Sequence, residues 1–460
     1  MPKKFTIVSP VDDSVLARIN YATPEHLSQT LTNAGKAAAG WKQAPLSQRV
    51  ELIEAFVSQM ERRRAEFARL VTLQMGRPIQ QADEVGRVRQ VADQLKALAT
   101  KSFEPEELPG TSGIRRFTRR EPLGICLSIC PWNYPVAMAA SLVLAPLLAG
   151  NVVLFKHAPQ TALVAELMQE CFEAADGPAG VFTALHLDHS TARHLIESGD
   201  IALLLFVGSV RGGKQVYAAA ARGLVRTVLE LGGKDPAYVR ADADLQRATT
   251  DLIEGSFSNS GQSCCSVERI YVHDAVYTDF VQMFTEAARK VTVGHPLQDH
   301  PQIGPVVSAA AAERISFQIQ SAVDAGARVV VGPSGKERGA EGRAYLNPTV
   351  LLDTTHSMSI LREETFGPVA PIMRVSSDAD AIERMNDSIY GLTASIWTAD
   401  IQRAIELGSQ VEAGTFYVNR CDHADIYLPI SGTKASGLGK SLGPTAFDAL
   451  TATKAYHVRT

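Results

Sequence analysis

Short apolar strands alternate with helical segments along most of this chain. A first series of such strands is predicted at 151–155, 202–207 and 226–230, and a second at 269–272, 328–331, 349–352 and 415–418. Strands that are apolar along their whole length have both faces buried, and their alternation with helices is typical of βαβ units in a parallel sheet. The chain has 460 residues, more than the roughly 250–300 that one hydrophobic core usually supports. We therefore predict an α/β protein with two such layers, joined at 231–233.

Helical periodicity dominates residues 24–100. One helix is predicted to begin at Pro24, directly after Thr23. A second is predicted to begin near Pro45, with Ser47 as its N-cap. These helices precede the first strand series.

Two segments alternate between polar and apolar side chains, as half-buried strands do. Residues 113–130 carry β-branched and aromatic side chains and predict a hairpin or an edge strand. Residues 455–459 alternate in the same way. This second segment could pair with residues 113–122 of another subunit, because unpaired strand edges readily add a further strand.

Charge and cysteine content exclude several classes of protein. The formal net charge is −4 with both signs interspersed, so no nucleic-acid partner is predicted. Six cysteines are too few for a disulfide scaffold, and the N-terminus lacks a signal-peptide pattern, so a reduced, cytoplasmic setting is predicted. The apolar stretch at 135–149 is shorter than the roughly 20 residues of a membrane span. It predicts a buried helix and no membrane partner.

Three polar residues stand where a reaction could use them. Cys264 lies in a small polar turn at 258–266, which favours a thiolate more than an apolar core does. Glu230 ends an apolar strand, where burial would raise its pKa and suit it to activate water. Asn133 is held between two prolines, as an oxyanion-hole donor must be. Taken singly, each has a structural explanation. Cys264 could be an inert thiol, Glu230 could cap a turn, and the Asn133 amide could hydrogen-bond to the backbone of a turn.

The usual fingerprint of a dinucleotide site, G-x-G-x-x-G after the first strand, is absent. Gly-Leu-Gly at 437–439 has the wrong spacing and predicts a flexible loop. Gly208 and Ser209 follow a strand and open a helix, whose first backbone amides could hold a pyrophosphate. Lys156 also ends a strand and could hydrogen-bond a ribose, although a lysine at a strand end is usually a surface residue.

Four segments together resemble the successive signatures of the aldehyde dehydrogenase superfamily. They are PWNYP at 131–135, ELGGK at 230–234, GQSC at 261–264 and ETFGP at 364–368. They occur in the family's order and at similar spacing, and the resemblance covers essentially the whole chain. Their joint occurrence favours the functional interpretation of these residues over the structural one.

The resemblance implies NAD(P)-dependent oxidation of an aldehyde to an acid, through a thiohemiacetal and a thioester. Cys264 matches the family's nucleophile. Asn133 and the backbone N–H of Cys264 match the groups that donate to the oxyanion, and Glu230 matches the general base. Cys265 is expected to be a buried neighbour. The implied cofactor residues include Glu364 at the nicotinamide ribose and Phe366 beside the nicotinamide ring, and the full set is Trp132, Lys156, Gly208, Ser209, Leu231, Glu364 and Phe366. The candidate substrate residues are Tyr134, Met138, Arg420 and Tyr427.

The resemblance also implies the architecture. An aldehyde dehydrogenase-like α/β fold has a Rossmann-like cofactor domain, a catalytic domain and a small β element for oligomerisation. The expected divisions are 1–104 with 123–231 for the NAD(P)-binding domain, 232–442 for the catalytic domain, and 105–122 with 443–460 for the oligomerisation strands. A homodimer or homotetramer is expected.

The cofactor segment departs from the pattern of many NAD-preferring members. These carry a glutamate three residues after the lysine, and this chain has Pro159 there. Pro159 removes a carboxylate that would repel a 2′-phosphate, and His157 could pair with that phosphate. NADP is therefore expected to be tolerated, or even preferred.

The substrate segment departs as well. Lys-His-Ala-Pro at 156–159 resembles the succinate-semialdehyde branch, but the arginine that often holds the substrate carboxylate there is replaced by Ser141. Arg420 is a possible alternative anchor, and an ion pair with Asp422 on a surface loop is its structural alternative. Cys and His at 421 and 423 are two ligands without partners, so no metal site is predicted.

Two functions of other classes compete with this interpretation. One is a cysteine-dependent esterase or thioesterase that uses Cys264 and Glu230 without a redox cofactor. The other is a binding or structural protein on an enzyme fold that has lost its activity. Intact Glu364 and Phe366 argue against the first, since a hydrolase needs no nicotinamide site. An intact Cys264 and Asn133 argue against the second.

Overall fold

The computed structural model describes residues 3–332 and 343–459, so the extreme ends of the predicted segments 1–104 and 443–460, and residues 333–342 of the predicted segment 232–442, lie outside it. The helices in this part of the chain are α1 (Pro24–Trp41), α2 (Leu46–Arg62), α3 (Arg64–Met75), α4 (Val85–Ser102), α5 (Ala137–Leu148), α6 (Ala162–Ala174), α7 (His189–Ser198), α8 (Val210–Gly223), α9 (Leu245–Phe257), α10 (Tyr277–Ala288), α11 (Ala309–Asp324), α12 (Ser359–Arg362), α13 (Asp378–Asn386) and α14 (Ile401–Gly408). The strands are β1 (Lys4–Val8), β2 (Val15–Asn20), β3 (Glu106–Thr111), β4 (Ile114–Pro122), β5 (Ile125–Cys130), β6 (Val152–His157), β7 (Phe182–Ala184), β8 (Leu203–Val207), β9 (Arg226–Glu230), β10 (Asp235–Val239), β11 (Val267–His273), β12 (Arg328–Val331), β13 (Thr349–Leu352), β14 (Val369–Val375), β15 (Thr393–Trp397), β16 (Thr415–Val418), β17 (Gly437–Leu438) and β18 (Thr451–Arg459).

The first strand series forms a six-stranded sheet in the order β17-β9-β8-β5-β6-β7. All neighbours are parallel except β17, which pairs antiparallel with β9. The prediction of a hairpin or edge strand was wrong for 125–130, because β5 lies between β6 and β8 in the middle of the sheet and is buried on both faces. The prediction of a flexible loop at 437–439 was wrong too, since Gly437 and Leu438 pair with Glu230 and Leu229.

The second strand series forms a seven-stranded sheet in the order β12-β13-β14-β11-β10-β15-β16. Every pair is parallel except β12 with β13. Two parallel-sheet layers are therefore confirmed. The short stretch at 231–234 leads directly from β9 in one sheet to β10 in the other, so it connects the two layers.

A smaller sheet has the order β18-β4-β3. The pairing of 455–459 with the 113–122 segment of another subunit was wrong, because β18 pairs antiparallel with β4 of the same chain. The register runs without interruption from Thr451 opposite Pro122 to Arg459 opposite Ile114, and the rings of Phe117 and Tyr456 stack at 4.5 Å. Because β18 of the same chain pairs with this edge of β4, the edge is not available to a strand of another subunit.

The helical predictions are confirmed for residues 24–100, with one exception at a cap. Thr23 caps α1 by accepting a hydrogen bond from His26 N. Ser47 is not an N-cap, because α2 begins at Leu46 and places Ser47 inside the helix. The buried helix predicted at 135–149 is α5, whose second half is buried throughout. Among the described helices none is both long and apolar enough to cross a membrane.

Candidate active site

Cys264 lies on a strained loop between α9 and β11. Asn259, Ser260 and Gly261 follow one another with φ angles of 52°, 59° and 70°. A Cβ at Gly261 would lie 2.2 Å from the carbonyl oxygen of Gly367, so only glycine fits there. Consecutive left-handed residues are costly and persist only where the surroundings hold them, which is common at functional sites.

The thiol of Cys264 is partly exposed. Within the described residues no acceptor faces its backbone N–H, which leaves that group free to act as a donor to a ligand. The neighbouring Cys265 Sγ lies 3.8 Å from Cys264 Sγ. This contact and burial raise the pKa of Cys265 well above its usual value, so Cys265 stays a thiol.

Asn133 lies against the loop that carries Cys264. Its side chain is 4% exposed, and its Nδ2 donates to the carbonyl oxygen of Gln262 at 3.1 Å. Asn259 Nδ2 donates to the same carbonyl at 3.2 Å and to Asn133 O at 3.1 Å. Two of the residues predicted for catalysis, Asn133 and Cys264, are thus brought together through Gln262.

Two buried charges, which the sequence did not reveal, support this arrangement. Arg77 and Glu84 each have 4% of their side chains exposed and form an ion pair at 2.6 Å. Arg77 also donates to Asn133 O at 2.7 Å and to Asn259 Oδ1 at 3.0 Å. Glu84 Oε2 accepts from the backbone N–H groups of Val136 and Ala137, at the start of α5. The pair therefore fixes both sides of the Asn133 segment, and Arg77 is a positioning residue for it.

We expect the change Arg77→Met to destabilise the protein by about 3 kcal/mol, since removing one partner of a buried pair leaves the other charge uncompensated. Chemical denaturation measures the change. Arg64→Gln is the matched control: its ion pair with Asp83 is exposed on the adjacent helix, and we expect about 0–1 kcal/mol. Equal losses in the two variants would contradict the positioning role.

Glu230 lies apart from this pair of residues. Its carboxyl lines a small cavity of about 20 Å³ together with Ser141, Lys440 and Ser441. That volume is enough for about one water molecule. Burial raises the pKa of Glu230, and the nearby Ser441 hydroxyl partly opposes that rise. The predicted general base therefore has the predicted raised pKa, but Cys264 does not line its cavity.

The nicotinamide candidates converge on the segment between the two sheets. Glu364 Oε1 accepts from Gly233 N at 3.1 Å, and a Cβ at Gly232 would meet the Glu364 carboxylate at 2.2 Å. Burial and the neighbouring Glu268 raise the pKa of Glu364 to about 7. The rings of Trp132 and Phe366 meet edge to face with centroids 5.4 Å apart. The Trp132 and Phe366 rings are therefore in contact, and Glu364, two residues before Phe366, contacts the 232–233 segment.

Glu268, in β11, anchors the same segment and was not predicted. Its carboxylate accepts from Lys234 Nζ at 2.6 Å and from the backbone N–H groups of Thr365 and Phe366 at 2.7 and 2.8 Å. Lys234 also donates to Thr365 Oγ1 at 2.9 Å. The ELGGK and ETFGP segments are thus joined through one buried ion pair. The adjacent charged pair Glu268 and Arg269 inside a strand was the signal in the sequence.

The dinucleotide candidates lie at the ends of β6 and β8. Ser209 caps α8 by accepting from Gly212 N at 3.2 Å, and a Cβ at Gly213 would meet the Leu231 side chain at 2.5 Å. Lys156 is only 5% exposed, so its structural alternative as a surface residue was wrong. Burial lowers the pKa of Lys156 to about 8, because no carboxylate of the described residues contacts its ammonium group. A hydrogen-bond acceptor on a ligand would raise that pKa again. These groups fit a dinucleotide.

The predicted role of His157 was wrong. The imidazole is 2% exposed, with Nε2 at 3.0 Å from Pro135 O and Nδ1 at 2.8 Å from Thr161 Oγ1. Burial lowers the pKa of His157 to about 4, so the ring is neutral and both nitrogens have partners. It cannot pair with a phosphate. Pro159 still leaves no carboxylate at its position, so that part of the NADP prediction is unchanged.

The substrate candidates separate into inner and outer residues. The Arg77 guanidinium lies over the Tyr134 ring at 4.1 Å, so Tyr134 is next to the Asn133 network, and Met138 packs partly buried on the core. Tyr427 is 69% exposed and Arg420 is exposed.

The structural alternative for Arg420 was an ion pair with Asp422, and it does not form between these two described residues. Asp422 instead accepts from Ser263 Oγ at 2.7 Å, and burial raises the pKa of Asp422 to about 6. Asp422 is therefore a site residue that the sequence did not reveal. In the described part of the chain no cluster of three or more metal-ligating side chains occurs.

Comparison with known proteins agrees with this geometry. The family model described as "Aldehyde dehydrogenase family" matches residues 1–456. Betaine aldehyde dehydrogenase 1 of Rhizobium meliloti is 32% identical over 454 residues, covering 98% of this chain and 93% of that protein. The NADP-dependent glyceraldehyde-3-phosphate dehydrogenase of Bacillus halodurans, complexed with NADP, has a TM-score of 0.94 and 33% identity over 99% of this chain and 96% of that chain. Betaine aldehyde dehydrogenase of Staphylococcus aureus, in complex with NAD+, has a TM-score of 0.95 and 26% identity over 100% and 92%.

Proposed function

The chain belongs to the aldehyde dehydrogenase family, and from this premise we propose that it oxidises an aldehyde to its acid with NAD(P), through a covalent intermediate on Cys264. The observation that carries the proposal is the hydrogen bond from Asn133 Nδ2 to Gln262 O, beside a Cys264 backbone N–H that has no acceptor in the described residues. Two donors of this kind, held next to a partly exposed thiol, suit an oxyanion that forms when a thiolate attacks a carbonyl carbon.

The first half of the reaction uses these groups. The Cys264 thiolate forms a bond to the aldehyde carbon, and the carbonyl oxygen becomes an oxyanion stabilised by Asn133 Nδ2 and Cys264 N–H. A bound NAD(P) supplies the hydride acceptor. The residues proposed to hold it are Trp132, Lys156, Gly208, Ser209, Leu231, Glu364 and Phe366. The buried cationic Lys156 and the Glu364 carboxyl, which accepts from Gly233 N, support this assignment.

The second half hydrolyses a thioester on Cys264. Glu230 accepts a proton from a water molecule, the resulting hydroxide attacks the acyl carbon, and the carbon–sulfur bond breaks to release the acid and the thiolate. The raised pKa of Glu230 supports this role. Because its carboxyl lines a cavity that excludes Cys264, Glu230 must rotate or act through a water molecule.

NADP is proposed to be accepted alongside NAD. Pro159 leaves no carboxylate at the position where many NAD-preferring relatives of this family carry one. The carboxylate of Asp188 favours the charged form of Lys156 and is itself paired with Lys3 at 2.9 Å. Because His157 is buried and neutral, we expect tolerance of NADP to rest on Pro159. KM values that strongly favour NAD over NADP would count against it.

The test of the proposed function is NAD(P)H formation, followed by absorbance, with a panel of aldehydes and both cofactors. We expect reduction with at least one aldehyde. The competing esterase, which would use Cys264 and Glu230 without a cofactor, predicts ester hydrolysis with no NAD(P)H from any aldehyde. That outcome would reject the proposal.

The assembly, domain division and location belong to the same proposal. A homodimer or homotetramer is supported by β3, which is exposed along its whole length at one edge of the small sheet. The division into 1–104 with 123–231, 232–442, and 105–122 with 443–460 is supported by the three larger sheets, apart from β17, which lies within 232–442 but pairs with β9 of the first sheet. A cytoplasmic location is supported by six free cysteines.

A further inference from the structure

We propose that Asp422 is a positioning residue for the nucleophile, which it holds in place through the side chain of Ser263. The inference rests on the proposed function, because it concerns the groups that Cys264 brings to the reaction. These groups are the thiol that attacks the aldehyde and the backbone N–H that stabilises the oxyanion. Both depend on the conformation of the turn at 258–266, and Asp422 contacts that turn from a loop 159 positions after Ser263.

Ser263 joins Asp422 to the residues around Cys264. The residue is 5% exposed, and its Oγ donates to Asp422 Oδ1 at 2.7 Å. The same Oγ accepts from the backbone N–H of Cys265 at 3.3 Å. A serine hydroxyl that bonds to the backbone two residues on closes a small turn. The two sequence neighbours of Cys264 are therefore tied to one oxygen atom, and Asp422 fixes that atom.

The peptide unit between Ser263 and Cys264 is the part of the turn that this link controls. A peptide unit is planar, so its carbonyl oxygen and its N–H point in opposite directions. The Ser263 carbonyl oxygen accepts from Ser266 N at 3.1 Å, which directs the Cys264 N–H to the other side. That N–H is one of the two donors proposed for the oxyanion, and such donors are effective when their direction is fixed before the reaction. Without the side-chain bonds of Ser263, this peptide unit would be held at its carbonyl end only.

The loop that carries Asp422 is itself held on both sides. Before it, Asn419 Nδ2 donates to Thr398 O at 2.9 Å, and Asn419 Oδ1 accepts from Thr398 N at 2.9 Å. After it, the carbonyl oxygen of His423 accepts from the Tyr417 hydroxyl. Asp422 has a φ angle of 42°, a left-handed conformation that a non-glycine residue keeps only where its surroundings hold it. The carboxylate therefore reaches Ser263 from a fixed backbone.

The charge of Asp422 determines the direction of its hydrogen bond. Burial raises the pKa of Asp422 to about 6, and the neighbouring Glu254 adds to that rise. The hydrogen bond from Ser263 and the charge of Arg77 oppose the rise. The group is thus a carboxylate at neutral pH and can only accept, so the Ser263 hydroxyl must donate to it. The lone pairs of Ser263 Oγ are then left for the N–H of Cys265.

Three variants separate the link from the charge. Ser263→Ala removes the link and keeps the carboxylate, Asp422→Ala removes both, and Asp422→Asn keeps an oxygen that accepts from Ser263 without a charge. We expect the first two to slow the first turnover of NAD(P)H formation by about 10- to 100-fold, because displaced reacting groups cost about that much. Asp422→Asn should stay within about 3-fold of the wild type, and stopped-flow absorbance measures all three. The affinity for NAD(P) should change by less than about 3-fold in each, since neither residue is a proposed cofactor contact.

Asp425 provides the matched control. It is a second carboxylate of the same loop, but its Oδ1 accepts from Tyr427 N at 2.8 Å, a contact that stays within the loop. Asp425→Asn removes one charge from the loop and leaves the bond between Asp422 and Ser263 in place. We expect its first turnover to stay within about 3-fold of the wild type.

The double variant of Ser263→Ala with Asp422→Ala tests whether the two residues act as a unit. If Asp422 acts through Ser263, the double variant loses no more than the slower single variant. Losses that multiply would overturn the inference, as would Ser263→Ala at a rate within about 3-fold of the wild type. Asp422→Asn as slow as Asp422→Ala would overturn it too. If Asp422→Ala does not fold, Ser263→Ala and Asp422→Asn decide between these outcomes.

Acylation of Cys264 by p-nitrophenyl acetate separates this inference from the proposed function. The thiolate attacks the ester carbonyl carbon, the bond to p-nitrophenolate breaks, and the oxyanion formed on the way needs the same donors but no cofactor. Absorbance follows the release of p-nitrophenolate. The same order of variants supports the inference even if no aldehyde reduces NAD(P). Acylation of Ser263→Ala at the wild-type rate rejects it whatever the aldehyde panel gives, and a wild type that is not acylated rejects both proposals.

Discussion

Replacing Cys264 by alanine is expected to lower NAD(P)H formation by about 10⁴-fold or more, since it removes the nucleophile on which both half-reactions depend. The remaining donors, Asn133 Nδ2 and the backbone N–H of residue 264, cannot form the covalent bond. The measurement is the initial rate of NAD(P)H appearance with saturating aldehyde. Cofactor affinity should stay within about 3-fold of the wild type, because no proposed cofactor contact involves the thiol.

Cys265→Ala is the matched control for that variant. Its sulfur lies 3.8 Å from Cys264 Sγ, but its pKa is raised well above the usual value, so it is not the thiolate at neutral pH. We expect Cys265→Ala to keep kcat within about 3-fold. A protein that loses its activity with Cys265→Ala and keeps it with Cys264→Ala would require the two roles to be exchanged.

The parts of the fold that could be predicted from the sequence are those that local pattern controls. The apolar runs of β6 and β8 are buried on both faces, and a run of that kind has few structural alternatives. The cap of α1 at Thr23 was likewise visible, because capping depends on neighbouring residues. Apart from the Ser47 cap, the fold predictions that were wrong depended on which strands pair. Nothing local in 125–130 tells an edge strand from a central one, and nothing local in 455–459 tells one subunit from another.

The site divides in the same way. Cys264, Asn133 and Glu230 stand in recognisable segments, but the groups that hold them are distant charges whose burial the sequence does not show. Arg77 contacts Asn259 across 182 positions, and Asp422 contacts Ser263 across 159. A lone arginine or aspartate in a sequence reads as a solvated residue, because charged side chains are seldom fully buried. Tertiary structure alone reveals which of them are exceptions.

Glu230→Gln is expected to separate the two half-reactions. Glutamine keeps the size of the side chain but cannot accept a proton from water, so the thioester should form and then hydrolyse slowly. The expected record is a burst of about one NAD(P)H per subunit at a wild-type rate, followed by a steady state about 10²- to 10⁴-fold slower. Stopped-flow absorbance measures both phases.

The pH dependence of the wild type gives a further check on the same base. Glu230 must be deprotonated to act, and burial raises its pKa above the usual carboxyl value, so the rate of acyl release should rise with pH through that raised pKa. Glu230→Gln should lose this limb of the profile altogether. If the steady state of Glu230→Gln kept the wild-type pH dependence, water activation would belong to another group. The buried carboxyl of Glu364, whose pKa is raised to about 7, would then be the next to test.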